Sequence, residues 1–111
     1  MKEKWKKIEN YPNYLISNYG NIYSTKSNKI LKPKIDKQGY LHIGLYSNNK
    51  RKFFLVHRLV ADHFLPTKDL EVNHKNGDKS NNSVKNLEWC TPKQNIANKL
   101  KRKYSFILKK I

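Results

Sequence analysis

The chain has 111 residues, with 24 lysines and arginines against 8 acidic residues and a net charge of +16. That length allows one modest core, or two small units sharing one, and excludes a pair of large domains. A charge this large opposes compactness unless a polyanion or salt screens it, which points to nucleic acid before an anionic membrane surface.

The longest apolar run, Phe53-Phe54-Leu55-Val56, is far too short to span a bilayer, so no membrane partner is expected. The N-terminus lacks the apolar stretch of a signal peptide. The single cysteine excludes an intramolecular disulfide and any cysteine-based zinc ribbon. These totals describe a soluble intracellular protein. A basic RNA-binding or chromatin-type protein fits them equally well.

In chain order, Trp5, Ile8, Tyr11 and Tyr14 lead into Leu15-Ile16-Ser17. Asn18-Tyr19-Gly20-Asn21 then turns the chain into Ile22-Tyr23-Ser24, because Asn and Gly tolerate positive φ. Lys29-Ile30-Leu31-Lys32 reads as another short strand, stopped by Pro33. From Gly39 a clean alternation puts Leu41, Ile43 and Leu45 on one face and Tyr40, His42 and Tyr46 on the other. Ser47-Asn48-Asn49-Lys50 is a turn, and Arg51 to Val56 returns as the partner strand. The first half is therefore expected to be a small, mostly antiparallel sheet, with Trp5, Trp89 and the tyrosines contributing mainly to a core.

The period changes at Val56-His57-Arg58-Leu59-Val60-Ala61-Asp62-His63-Phe64, where Val56, Val60 and Phe64 recur at helical spacing, and Pro66 ends the helix. A strand to His74, an eleven-residue connection and a strand from Asn86 to Cys90 follow. Within that connection Asn81 and Asn82 read as turn formers. Thr91-Pro92-Lys93-Gln94 carries the signs of a helix start, with a threonine cap and a glutamine three residues on. Asn95 then falls in the first turn of the last helix. The fold class expected is α+β, with residues 1–50 as the β-rich unit, 51–98 as a helix followed by a strand–strand–helix core, and 99–111 as a basic tail.

The pairing of the last two strands brings Asn86 near His74, and the helix start at Asn95 can fold over the same mouth. Phosphodiester cleavage needs a base to activate water, a cation to offset charge, and oxygen ligands for that cation. His74 suits the base, since imidazole titrates near neutrality. Asn86 can orient it. Asn73 and Asn95 offer amide oxygens to a hard cation such as Mg²⁺. A lone histidine at a strand end is more often structural, and only the accompanying asparagines lift His74 above that prior. His57 reads as a helix-start packing residue that can approach the site, and His42 and His63 as ordinary surface or half-buried residues.

The run VNHKNGDKSNNSVKNLEWCTPKQN resembles the core of an HNH endonuclease of the phage and intron homing type. VHRLVADHFLP resembles the helix that precedes such a core, and WKKIENYPNYLISNYGNIYS resembles the nuclease-associated module often found before it. The resemblance spans about residues 4 to 98. It implies a ββα-metal nuclease fold, His74 as general base, Asn86 as the residue that braces the loop, and Asn95 as ligand of one divalent ion, Mg²⁺ or Mn²⁺, with no organic cofactor. Relatives often carry aspartate before the base. This chain has Asn73 there, an amide, which holds a cation less strongly than a carboxylate does.

The partner implied is double-stranded DNA, met through Lys75, Lys79, Lys85, Lys93 and the tail residues Lys99, Lys101, Arg102 and Lys103. Such an enzyme would be phage- or intron-encoded and work in the bacterial cytoplasm. The alternative is a DNA-binding module whose nuclease core is degenerate.

Overall fold

The computed structural model describes residues 2–66, 71–91, 93 and 94. Asn95 and the expected tail contacts Lys99, Lys101, Arg102 and Lys103 lie outside them. A four-stranded antiparallel sheet comes first, formed in sequence order by β1 (Trp5–Ile8), β2 (Tyr11–Ser17), β3 (Ile22–Ser24) and β4 (Lys29–Leu31). The turn between β2 and β3 falls at Asn18–Asn21 as expected. Gly20 takes φ +89° there, a value that only glycine adopts without strain.

A second antiparallel sheet joins β5 (Lys34–Ile35), β6 (Leu41–Ser47) and β7 (Lys50–Leu55). Its β6–β7 hairpin closes on the pair Ser47↔Lys50 with Asn48 and Asn49 both at positive φ, the conformation that matches the twist of two-residue hairpins. The alternation along β6 has the expected result: Ile43 and Leu45 are buried while Tyr46 is exposed. Helix α1 (Val56–Phe64) begins directly at the end of β7. Val56 is thus the first helical residue rather than the last of the strand.

The third sheet is the hairpin of β8 (Glu71–His74) and β9 (Leu87–Cys90), in the register Asn73↔Glu88 and His74↔Leu87. Asn86 does not start the strand. It ends a single 3-10 turn, Val84–Asn86, that delivers the chain into β9. Beyond β9, Thr91 and Gln94 exchange the two reciprocal hydrogen bonds of a capping box, backbone N to Gln94 Oε1 at 2.9 Å and Gln94 N to Thr91 Oγ1 at 3.1 Å.

One apolar cluster ties the pieces together. Ile8, Ile16 and Ile22 of the first sheet meet Ile43 and Leu45 of the second, Val56, Leu59, Val60 and Ala61 of α1, and Val72 and Leu87 of the last hairpin. Each of the isoleucines, leucines and valines among them contributes about 1.5–3 kcal/mol by leaving water, so α1 is fixed between the N-terminal sheets and the hairpin. Trp5 and Tyr46 depart from the expectation that the aromatics are core. Both are exposed, Trp5 lying edge-on to Tyr23 and Tyr46 beneath the Arg51 guanidinium. A charged or aromatic neighbour at the surface gives such rings a packing partner without burial.

Candidate active site

His74 ends β8 and is buried. The twelve residues between it and β9 would be a floppy connection if their polar groups faced only water. Asn86 prevents that. Its Oδ1 accepts from the Asn76 backbone N at 3.1 Å, and its Nδ2 donates to Asn76 Oδ1 and to the Asn81 carbonyl, both at 2.9 Å. A backbone N–H can only donate and a backbone carbonyl can only accept, so these partners fix which end of the Asn86 amide is oxygen. The backbone of the same residue accepts from Lys75 N at 2.7 Å. Asn86 therefore holds both ends of the connection together and leaves His74 at a rigid mouth. Its contacts are with the loop; the side chain that reaches the imidazole is another.

That side chain is Asn82. Its Oδ1 lies 2.7 Å from His74 Nε2, and the residue is more completely buried than His74 itself. Sequence reasoning took Asn82 for a turn former. Nothing in an asparagine-rich loop distinguishes the one amide that turns inward.

Two rings wall the imidazole. The His57 centroid is 5.0 Å from that of His74 at an interplanar angle of 64°, and Tyr40 lies 5.2 Å from His57 and 6.0 Å from His74. His57 does sit at the start of α1, as expected, but it packs against the site rather than merely approaching it. Burial, with the nearby positive charges of His74 and Arg58 adding to it, lowers its pKa from 6.5 to about 4. It is a neutral ring near pH 7. Of the remaining histidines, His63 accepts from Glu9 N at 3.1 Å and serves the fold.

Successive strand residues point to opposite faces, so Asn73 shares a face with Glu88 while His74 shares the other with Leu87. Asn73 Nδ2 donates to Glu88 Oε1 at 2.8 Å. A carboxylate thus stands beside the Asn73 amide. These are oxygen donors, which suit a hard divalent ion. Among the described residues no three His, Cys, Asp or Glu side chains converge as a metal centre, so a cation here must complete its shell with other oxygens. Lys75 and Lys85 are exposed beside the His74 end of the hairpin, and Lys93 is exposed beyond its Cys90 end. Lys79 differs: its ammonium donates to the Gln38 carbonyl at 2.7 Å and sits 4.7 Å from the centre of the Tyr40 ring, so it secures the wall of the site.

Comparisons with known proteins match both halves of the chain. Residues 3–46 fit the model of the NUMOD4 motif, and residues 54–97 fit that of an HNH endonuclease. The DNA endonuclease I-HmuI of Bacillus phage SP01 is 48% identical over 102 residues, covering 89% of this chain and 59% of that protein. An uncharacterized HNH endonuclease of Acanthamoeba polyphaga mimivirus is 47% identical over 96 residues, covering 85% of this chain and 29% of its own length. A solved structure, described as DNA binding and cleavage by the HNH homing endonuclease I-HmuI, superposes with a TM-score of 0.85 at 48% identity over 89% of this chain and 59% of that one. The chain thus spans well under the full length of the relatives it matches.

Proposed function

The chain belongs to the HNH endonuclease family, with a NUMOD4 motif ahead of the nuclease core, and we propose that it is a divalent-metal-dependent endonuclease that hydrolyses phosphodiester bonds of double-stranded DNA. The observation that carries this reading is the rigid mouth: a buried histidine at the end of β8, with the following connection locked by three hydrogen bonds from Asn86.

The chemistry follows from those residues. His74 takes a proton from water, the water oxygen attacks phosphorus, and the bond to the 3′-oxygen breaks, that oxygen taking a proton from solvent to leave as a 3′-hydroxyl beside a 5′-phosphate. Asn86 keeps the loop, and with it the base, in one place. His57, neutral near pH 7, excludes water from one side of the imidazole without adding charge beside it. Asn73 and Asn95 would hold the divalent ion, Mg²⁺ or Mn²⁺, which when bound offsets charge on the phosphate and the leaving oxygen. Lys75, Lys85 and Lys93, with Lys99, Lys101, Arg102 and Lys103 of the tail, supply sequence-independent attraction to the DNA backbone. Residues 1–50 act as the nuclease-associated unit and residues 51–98 as the cutting core. The setting is a phage- or intron-borne gene expressed in bacterial cytoplasm.

Asn73 favours a second reading. Where a carboxylate would bind the cation more strongly, this chain has an amide, as a core that binds DNA without cutting it would allow. Incubation with supercoiled plasmid separates the two. Conversion to nicked or linear DNA with Mg²⁺ or Mn²⁺, abolished by chelator, supports the nuclease; a mobility shift with no conversion at any metal concentration leaves the binding module.

A further inference from the structure

Asn82 is buried to 3% exposure, yet its Nδ2 finds no hydrogen-bond partner among the described residues. A buried donor left unmade is costly, and an apolar side chain at this position would avoid the cost. What the amide does make is the 2.7 Å contact from Oδ1 to His74 Nε2. The seat of Asn82 comes from a distant part of the chain. Gly20, at φ +89° in the β2–β3 turn, lies so close that a Cβ there would sit 3.1 Å from both the Cβ and the carbonyl oxygen of Asn82. Two residues on, Val84 N donates to the Asn18 carbonyl of the same turn at 2.8 Å. The N-terminal sheet thereby clamps the loop at the residue that touches the base.

We propose that Asn82 is a positioning residue that holds His74 in the Nε2–H tautomer, and that the turn at Gly20 keeps Asn82 in place. The inference rests on the reading of His74 as the general base. With Oδ1 toward the ring, His74 donates to it from Nε2; a neutral imidazole that does so carries its lone pair on Nδ1, whereas the reversed amide would call for the Nδ1–H form. Loss of this contact removes the bond that favours Nε2–H, so the Nδ1–H tautomer gains population, and that fraction cannot take a proton from water at Nδ1. The N-terminal unit then belongs to the catalytic apparatus, through a turn more than fifty residues from the base in sequence.

The experiment reads the tautomer directly, by ¹⁵N and ¹³C NMR of histidine-labelled full-length protein without metal, alongside plasmid nicking and DNA affinity in chelator. Wild type should show the Nε2–H form of His74. Asn82→Ala should show a mixture, with nicking about ten- to a hundredfold slower and DNA affinity unchanged within about twofold. Asn82→Asp, which restores an acceptor, should recover the tautomer and most of the rate, and Gly20→Ala should shift the tautomer in the same sense as Asn82→Ala. An Nδ1–H form in the wild type overturns the proposal whether or not any variant folds, as does full nicking by Asn82→Ala. If instead His74→Ala nicks as fast as wild type, it is the base assignment that fails, while the tautomer result still stands or falls by itself.

Discussion

Replacing Asn86 by alanine deletes three hydrogen bonds at once and leaves the Asn76 N–H and the Asn81 carbonyl without the partners they have in the folded chain. At about 1 kcal/mol net for each bond the loss comes to about 3 kcal/mol, and any backbone group that remains shielded from water adds to it. Asn86→Asp sharpens the test. Its carboxylate can still accept from Asn76 N, but it presents an oxygen to two atoms, Asn76 Oδ1 and the Asn81 carbonyl, that both accept. Two attractive contacts become repulsive, so the isosteric aspartate should be at least as destabilising as alanine at pH 7. Acid should relieve part of the deficit, because a protonated carboxyl regains one donor. Urea unfolding followed by fluorescence gives the stabilities, and hydrogen exchange of the Asn76 amide reports the loop locally. An aspartate variant as stable as wild type at pH 7 would show that the Asn86 amide does not make these bonds, and the argument for a braced mouth would fall.

Acid should also unfold the protein through His57. Its folded pKa of about 4 lies below the ordinary value of 6.5, so its contribution is complete above pH 6.5 and is lost as pH falls from there towards 4. A depression of that size is worth about 3 kcal/mol. His57→Phe keeps a ring without the titration and should lose about 2–3 kcal/mol less than wild type between pH 7 and pH 4.5 in urea melts; parallel losses would contradict the assignment. DNA affinity should fall linearly with salt on logarithmic axes, since backbone contacts release counterions; affinity that holds steady from 50 to 200 mM salt would exclude a charge-driven interface. Asn73→Asp should tighten metal binding by the DNA-free protein in calorimetry and lower the metal needed for half-maximal cleavage, with little change at saturation. Unchanged metal affinity in that variant would remove residue 73 from the cation site.

Period and turn chemistry made most of the fold legible. The switch at Val56 from alternating to helical spacing, the Asn48-Asn49 hairpin and the Thr91–Gln94 capping box are local features, dictated by residues within a few positions of one another. The pairing of β8 with β9 was legible for the same reason, and with it the closeness of Asn86 to the His74 end. Local pattern carries no information on which loop amide turns inward. Asn82 is chosen by Gly20 and Asn18, which lie more than sixty residues away and act through packing and a backbone hydrogen bond. His57 was ambiguous because a helix-start histidine packs in the same way whether its neighbour is a leucine or a catalytic imidazole. Trp5 and Tyr46 went the other way: their apolar bulk suggests a core, while the small sheets bury only one face each and leave the other to water.

The central claim is that His74 supplies the base, and His74→Ala tests it most directly when nicking and binding are measured on one preparation. The substitution leaves the 24 lysines and arginines that attract the DNA backbone untouched, so DNA affinity in chelator should stay within about twofold of wild type. Nicking of supercoiled plasmid at saturating Mg²⁺ should fall by about two to four orders of magnitude. Cleavage by the alanine variant at the wild-type rate, with chelator still abolishing it, would contradict the account and assign the chemistry to another group.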